Sequence, residues 1–386
     1  MSVKHVTAAT LILAVAACAP ARQPVPEVRG SIVSTTPVAD LQPADVTKSL
    51  QAAKFDPADV RYGVTAYRVL YRTIGTKGEP TTATQLVAFP KNEDSDLRPV
   101  SWLHGTTVYR ADVASVKPES SDRAAAFLIA STGRAVSAPD YLGLGEGPGH
   151  HPYGHVEATI SSTLDALRAM RELARQQGKT VDERVLISGF SQGAPATMML
   201  GRALQEGADP YFTPAGLAPV GGPFQVSRFE ADAAADKVAR ASLYLAYFAI
   251  AWDRVYDIYG SPRNVFREPY AAQVEALFDG SHTTQEIAKA LPPRSQDLFT
   301  GEFLREVQNP TGKLRDLLRA ADASCDWAPT VPVHIYHASG DRDIAFHHAE
   351  HCRSRLKTKG ELTDVGDADH NGSVRRALPL ILREFP

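Results

Sequence analysis

Residues Val185-Leu186-Ile187-Ser188-Gly189-Phe190-Ser191-Gln192-Gly193-Ala194-Pro195 carry the reading of the fold. The compact apolar run 184–188 predicts a buried strand. It enters a Gly-x-Ser-x-Gly turn, and a helical pattern follows to about residue 204. Glycine stands at 189 and 193, the two positions where a side chain would crowd a sharp strand-to-helix turn. Pro195 falls in the first helical turn, where a missing N–H costs little. A serine on such a turn stands at the end of a strand. The free N–H groups and positive dipole end of the helix face any negative charge that develops beside it. The segment therefore predicts Ser191 as a nucleophile and the backbone N–H of Gln192 as an oxyanion donor.

Upstream, strand patterns cover 60–72, 84–89, 99–103 and 135–138, with a helical pattern at 122–131. From 156 to 177 the apolar residues Ile160, Leu164, Leu167, Met170 and Leu173 recur every three or four positions, one face of an amphipathic helix. Strands alternating with helices predict an α/β fold, a mostly parallel sheet covered on both faces. The alternation breaks near Pro223 and resumes at 331–336, with a helix at 345–356, a strand at 362–365 and a last helix from about 373. Between lie mainly helical signals. The expected organisation is a core built from 55–223 and 328–386, with a helical cap inserted at 224–327. The stretch Leu243 to Trp252, rich in Tyr and Phe, is expected as a buried cap helix whose inner face lines an acyl pocket.

A serine hydroxyl needs a base, and the base needs an orienting carboxylate. On this architecture the chain order is serine, acid, histidine. His370 lies in the polar loop Gly366-Asp367-Ala368-Asp369-His370-Asn371-Gly372, after the strand at 362–365. Two carboxylates follow the strand at 331–336, in Gly340-Asp341-Arg342-Asp343. Asp343 is the expected acid, with Asp341 holding the loop through its backbone. The second oxyanion donor is expected from His104-Gly105-Thr106-Thr107, where Thr106 and Thr107 stand as alternatives and His104 braces the loop.

Composition excludes several other functions. The chain has 386 residues, 44% apolar and 22% charged, with 41 Lys and Arg against 44 Asp and Glu, net −3. Such usage suits a globular protein, not a disordered, collagen-like or multi-span membrane chain. No basic excess exists to neutralise phosphates, so no nucleic-acid partner is expected. Gly143-Leu144-Gly145-Glu146-Gly147 lacks the Gly-x-Gly-x-x-Gly spacing of a dinucleotide site. His347 and His351 sit one helical turn apart without a third ligand, and His150, His151 and His155 form no metal motif. No metal or organic cofactor is expected.

The chain begins with a positive stretch, Met1-Ser2-Val3-Lys4-His5, and an apolar run over 8–17. The run is much shorter than the roughly 20 residues of a spanning helix, which predicts an export signal at 1–17. Val15-Ala16-Ala17-Cys18 resembles the lipobox of bacterial lipoproteins. That resemblance implies that Cys18 is lipidated, tying an exported protein to a membrane. The alternative is an ordinary signal cleaved near Ala17-Cys18-Ala19. Residues 18–54 are expected as a flexible tether. Cys325 and Cys352 then remain as an even pair in an oxidising compartment and are candidates for a disulfide, with two separate thiols as the alternative.

With these residues assembled, the sequence resembles the α/β-hydrolases and, within them, the secretory lipase family, over roughly 55–386. The resemblance rests on Ser101-Trp102-Leu103-His104-Gly105-Thr106-Thr107, Pro139-Asp140-Tyr141-Leu142-Gly143-Leu144-Gly145, His151-Pro152-Tyr153 and Ser162-Thr163-Leu164-Asp165-Ala166-Leu167-Arg168-Ala169. It implies an esterase or lipase acting on a small-molecule ester through an acyl-enzyme, beneath a helical cap. One branch of the family uses an acidic oxyanion residue where this chain has Thr107. A serine peptidase or amidase, or a silent binding lipoprotein, are the alternative functions on the same fold.

Overall fold

The structure, a computed structural model, describes residues 28–385. The expected signal and Cys18 lie outside the described residues. Ten strands form one sheet: β1 (Ile32–Leu41), β2 (Gly63–Ile74), β3 (Pro80–Lys91), β4 (Asp96–Leu103), β5 (Arg134–Pro139), β6 (Thr180–Val181), β7 (Arg184–Phe190), β8 (Thr213–Val220), β9 (His334–His337) and β10 (Glu361–Asp364). Their order is β1-β2-β3-β5-β4-β7-β8-β9-β10, and β6 pairs with β4. From β1 to β5 neighbours along this order are antiparallel; from β5 to β10 they are parallel. This is the α/β-hydrolase architecture. The central strands β5 and β7 are apolar runs buried on both faces, as a helix-covered parallel sheet requires.

Two apolar layers cover the sheet. One packs α1 (Pro43–Ala52), α2 (Ser121–Ser131) and α14 (His370–Glu384) against it. The other packs α3 (Val156–Gln176), α4 (Gly193–Gln205) and α13 (His347–Arg355) on the opposite face. Val46 and Leu50 place α1 firmly in its layer, both fully buried. The tether expectation is therefore corrected from residue 28 onward. β1 pairs with β2 over most of its length, and α1 belongs to the core. The physical reason is that β1 gains its place through backbone hydrogen bonds at an open sheet edge, with little side-chain burial of its own.

Between β8 and β9 the chain builds a cap with its own apolar core. It comprises α5 (Val226–Ala234), α6 (Ala241–Tyr256), α7 (Pro262–Val265), α8 (Val274–Leu277), α9 (Thr284–Ala290), α10 (Ser295–Leu298), α11 (Gly301–Gln308) and α12 (Gly312–Asp322). Residues 241–252 of α6 are buried without interruption, so this helix is the axis of the cap. Cys325, just beyond α12, is bonded to Cys352 of α13, with the Cα atoms 5.3 Å apart. The returning cap is thereby fastened to the core. Among the described residues no helix is long and apolar enough to cross a membrane.

Candidate active site

β7 delivers its chain end to a turn at the middle of the sheet. Ser191 there has φ +55°, in the left-handed region that side chains normally avoid. Its N–H donates to the Val220 carbonyl at 2.9 Å, so the neighbouring strand holds the strained turn. The flanking glycines are required by space. A Cβ at Gly189 would lie 2.3 Å from the Gly193 carbonyl oxygen, and one at Gly193 would lie 2.0 Å from that of Leu103. Sequence pattern and geometry agree here because the constraint is local.

His370 opens α14, and its ring lies between two partners. Nε2 is 2.9 Å from Ser191 Oγ, and Nδ1 is 2.6 Å from Asp341 Oδ2. The expected carboxylate is thus corrected: Asp341, not Asp343, meets the histidine. Asp341 Oδ1 accepts the N–H groups of Asp343 and Ile344, each at 2.9 Å. That turn aims Oδ2 inward and sends the next-but-one side chain the other way. Asp343 instead accepts from the Arg240 guanidinium and from Tyr244 Oη at 3.2 Å, both on the cap side. Burial alone would raise the Asp341 pKa. Hydrogen bonds from His337 and His370 and from the Ile344 N–H outweigh it and hold the carboxyl well below the usual range. A permanent carboxylate at Nδ1 keeps a proton on that nitrogen and leaves the Nε2 lone pair facing Ser191.

The loop 104–107 closes the other side. A Cβ at Gly105 would come 3.2 Å from the Phe190 ring and 3.3 Å from Ser191 Cβ, so the loop packs closely on the Ser191 turn. Thr106 and Thr107 both line the cleft. Thr106 Oγ1 donates to Tyr153 Oη at 3.2 Å, and the Thr107 carbonyl accepts from Tyr247 Oη at 3.2 Å. Both ring nitrogens of His104 face backbone carbonyls, of Gly105 at 2.6 Å and Asp140 at 3.1 Å. Tyr141 Oη donates to the His104 carbonyl at 3.2 Å. The Asp-Tyr-Leu-Gly-Leu-Gly segment is thus the floor under the loop. Buried Asp140 accepts from Thr84 Oγ1 at 2.6 Å and Ser115 Oγ at 2.5 Å.

The cleft above Ser191 holds about 180 Å³ and is polar. Trp102, Asp122, Arg240 and Arg375 line it together with His370. The sequence reading missed Arg240, which only the cap's fold brings to the cleft, and His337, a strand residue that reaches Asp341 at 3.5 Å. Glu230 of α5 is buried, and its Oε2 has no hydrogen-bond partner. Among the described residues the group best spaced for a cation is His334, Glu361 and Glu384, on β9, β10 and the last turn of α14. None of the three lines the cleft. His347 and His351 join no such group.

Comparison with known proteins gives the following. A family model described as secretory lipase matches residues 120–371. A protein of Legionella pneumophila described as a hydrolase superposes with a TM-score of 0.85 at 27% identity, covering 92% of this chain and 97% of its own. A variant of the rice cell wall degrading esterase LipA from Xanthomonas oryzae gives 0.81 at 25% identity, over 93% and 97%. Candida antarctica lipase A gives 0.64 at 15% identity, over 89% and 78%, a likeness of fold. No curated protein sequence matches.

Proposed function

The chain belongs to the secretory lipase family, and on that premise we propose that it is an exported serine hydrolase of carboxylic esters. Family and structural relatives support an esterase or lipase type of activity. The single observation that carries the mechanism is the His370 ring bridging Ser191 Oγ and Asp341 Oδ2 at 2.9 and 2.6 Å. In our reading Ser191 Oγ attacks the acyl carbon as Nε2 takes its proton. Asp341 fixes the ring and stabilises the imidazolium. The oxyanion is received by the Gln192 N–H, at the start of α4, and by a donor from the Thr106–Thr107 loop. Nε2 then returns the proton to the departing alkoxide, leaving an acyl-serine. Water, deprotonated by the same nitrogen, releases the acid.

No residue in this sequence of steps calls for a metal. The signal-like start and the lipobox resemblance at Cys18 support export to a bacterial membrane surface. The test is hydrolysis of a p-nitrophenyl ester series from acetate to palmitate by wild type and Ser191→Ala. Wild type should turn over at least the short esters, and Ser191→Ala should fall by several orders of magnitude. Equal rates for the two proteins would defeat the reading.

A further inference from the structure

Five cations line a surface groove of about 880 Å³: Arg29 just before β1, Arg168, Arg171 and Arg175 on α3, and Lys179 just beyond it. Only two carboxylates, Glu172 and Asp209, share the lining, so the groove is positive on a chain whose formal charge is −3. Arg29 and Arg168 divide one buried carboxylate between them, meeting Asp165 at 3.0 and 2.8 Å. Arg168 also meets Asp209 at 2.7 Å, and Arg175 meets Glu172 at 2.8 Å. Arg171 and Lys179 have no ion-pair partner among the described residues. The Arg171 guanidinium lies over the Tyr211 ring, 3.4 Å from its centroid, and Lys179 Nζ donates to the Asp94 carbonyl at 2.9 Å.

Two further observations give this groove a direction. Val28 lines it, so the chain that leads back to Cys18 leaves from here. The ten residues 18–27 can span at most about 35 Å. The groove also lies at the opposite end of the parallel sheet from the catalytic residues. Thr180 and Val181 form β6, and Phe212 immediately precedes β8, so the groove stands where strands begin. Ser191 and Asp341 stand where β7 and β9 have ended. β8 measures the distance between the two. It starts at Thr213, beside the groove, and ends at Val220, whose carbonyl accepts the Ser191 N–H. At about 3.3 Å per residue, groove and nucleophile are roughly 25 Å apart.

We propose that this groove docks on the anionic phospholipid headgroups of the membrane that holds Cys18, which turns the catalytic end of the sheet away from that membrane and toward esters dissolved in water. The docking rests on the lipid-anchor reading, and its consequence for the substrate rests on the ester-hydrolase reading above. An anchor within about 35 Å keeps the groove near the bilayer but leaves the protein free to roll. The cations fix the face. Guanidinium groups pair well with phosphate oxygens, and each cation near an anionic surface strengthens binding about fivefold. An ester of the same bilayer would have to be drawn roughly 25 Å into water to meet Ser191, exposing its apolar chains on the way.

The experiment uses soluble Cys18→Ser protein, which has no lipid of its own, and vesicles of phosphatidylcholine alone or mixed equally with phosphatidylglycerol. At low salt the protein should sediment with the mixed vesicles and not with the neutral ones. Replacing both partnerless cations, by Arg171→Gln and Lys179→Gln together, should weaken that binding by about tenfold or more. Hydrogen exchange on the mixed vesicles should slow over 28–32 and 168–181 and stay unchanged over 104–107 and 366–372. The bound protein should still hydrolyse dissolved p-nitrophenyl acetate and release no fatty acid from the vesicles. Equal binding to both vesicles, a double variant that binds as tightly as its parent, protection of the cleft loops, or fatty-acid release overturns the proposal. Failure of the esterase reading shows separately, as no acetate turnover by the free protein; sedimentation and exchange still decide the docking.

Discussion

At residue scale, two aspartates two positions apart do different work. Asp341 faces the histidine and Asp343 faces the Arg240 guanidinium. Asp341→Asn should lower kcat by roughly 10³–10⁴, because the amide can no longer fix the ring tautomer. Asp343→Asn should cost less than about tenfold, since it removes a cap contact and no proton path. Steady-state kinetics on a short ester distinguishes them, and the reverse order would return the acid role to Asp343. Glu230 gives a prediction of opposite sign to an ion-paired acid. Its folded pKa is raised, so below about pH 4 both states hold the proton and it costs nothing. As pH rises above that, the unfolded state ionises and gains, at about 1.4 kcal/mol per pH unit until the folded value is reached. Glu230→Gln escapes this loss. Its melting temperature should exceed that of wild type, by more at pH 8 than at pH 5; parallel curves would refute the burial argument. The meeting of Ser191 with His370 was legible in the sequence because a turn motif and chain order point to the two residues. The carboxylate was misread because both aspartates lie on one short loop, and only the turn closed by Asp341 Oδ1 on the Asp343 and Ile344 N–H groups decides which carboxylate reaches the histidine.

At element scale, legibility followed side-chain pattern. α3 and β7 declare themselves by periodicity and by a compact apolar run. β8 does not, because Thr213-Pro214-Ala215-Gly216-Leu217-Ala218-Pro219-Val220 carries two prolines and a glycine, residues rare inside strands. Its partners compensate: the Leu217 N–H donates to Pro332, and the Val220 carbonyl accepts from Ser191. β1 is hidden for a different reason, its exposed edge leaving no alternation to read. The elbow itself gives the sharpest element-level test. Gly193→Ala puts a methyl 2.0 Å from the Leu103 carbonyl, and that oxygen belongs to a central strand that cannot give way. A loss of roughly 3 kcal/mol or more is expected, measured by urea unfolding; a wild-type midpoint would show that the turn can relax. The Cys325–Cys352 bond closes a loop with a sequence separation of 27. Chain entropy for that length assigns it about 3–4 kcal/mol. Cys352→Ala should lower stability by that order, and unchanged unfolding would remove the bond from the stability account.

At the scale of the whole molecule, the cap is part of the active site's walls. Tyr247 hydrogen-bonds the Thr107 carbonyl in the 104–107 loop, Trp252 Nε1 donates to the Tyr153 carbonyl, and Arg240 reaches Asp343. The insertion was visible in the sequence as a break in alternation, but these contacts were not, since they join residues 99 to 140 positions apart. At the other end, Cys18 lies outside the described residues, and its lipidation is a matter for fractionation. Cys18→Ser should move the exported protein from the membrane fraction to the soluble one; unchanged membrane association would rule out the anchor. The central claim remains that three distant segments meet to activate one hydroxyl. Its most direct test is to treat the full-length protein with a fluorophosphonate and locate the adduct by peptide mass spectrometry. The account predicts stoichiometric phosphonylation of Ser191, with a much slower reaction in His370→Ala. An unmodified Ser191, or an adduct on another residue, would contradict it.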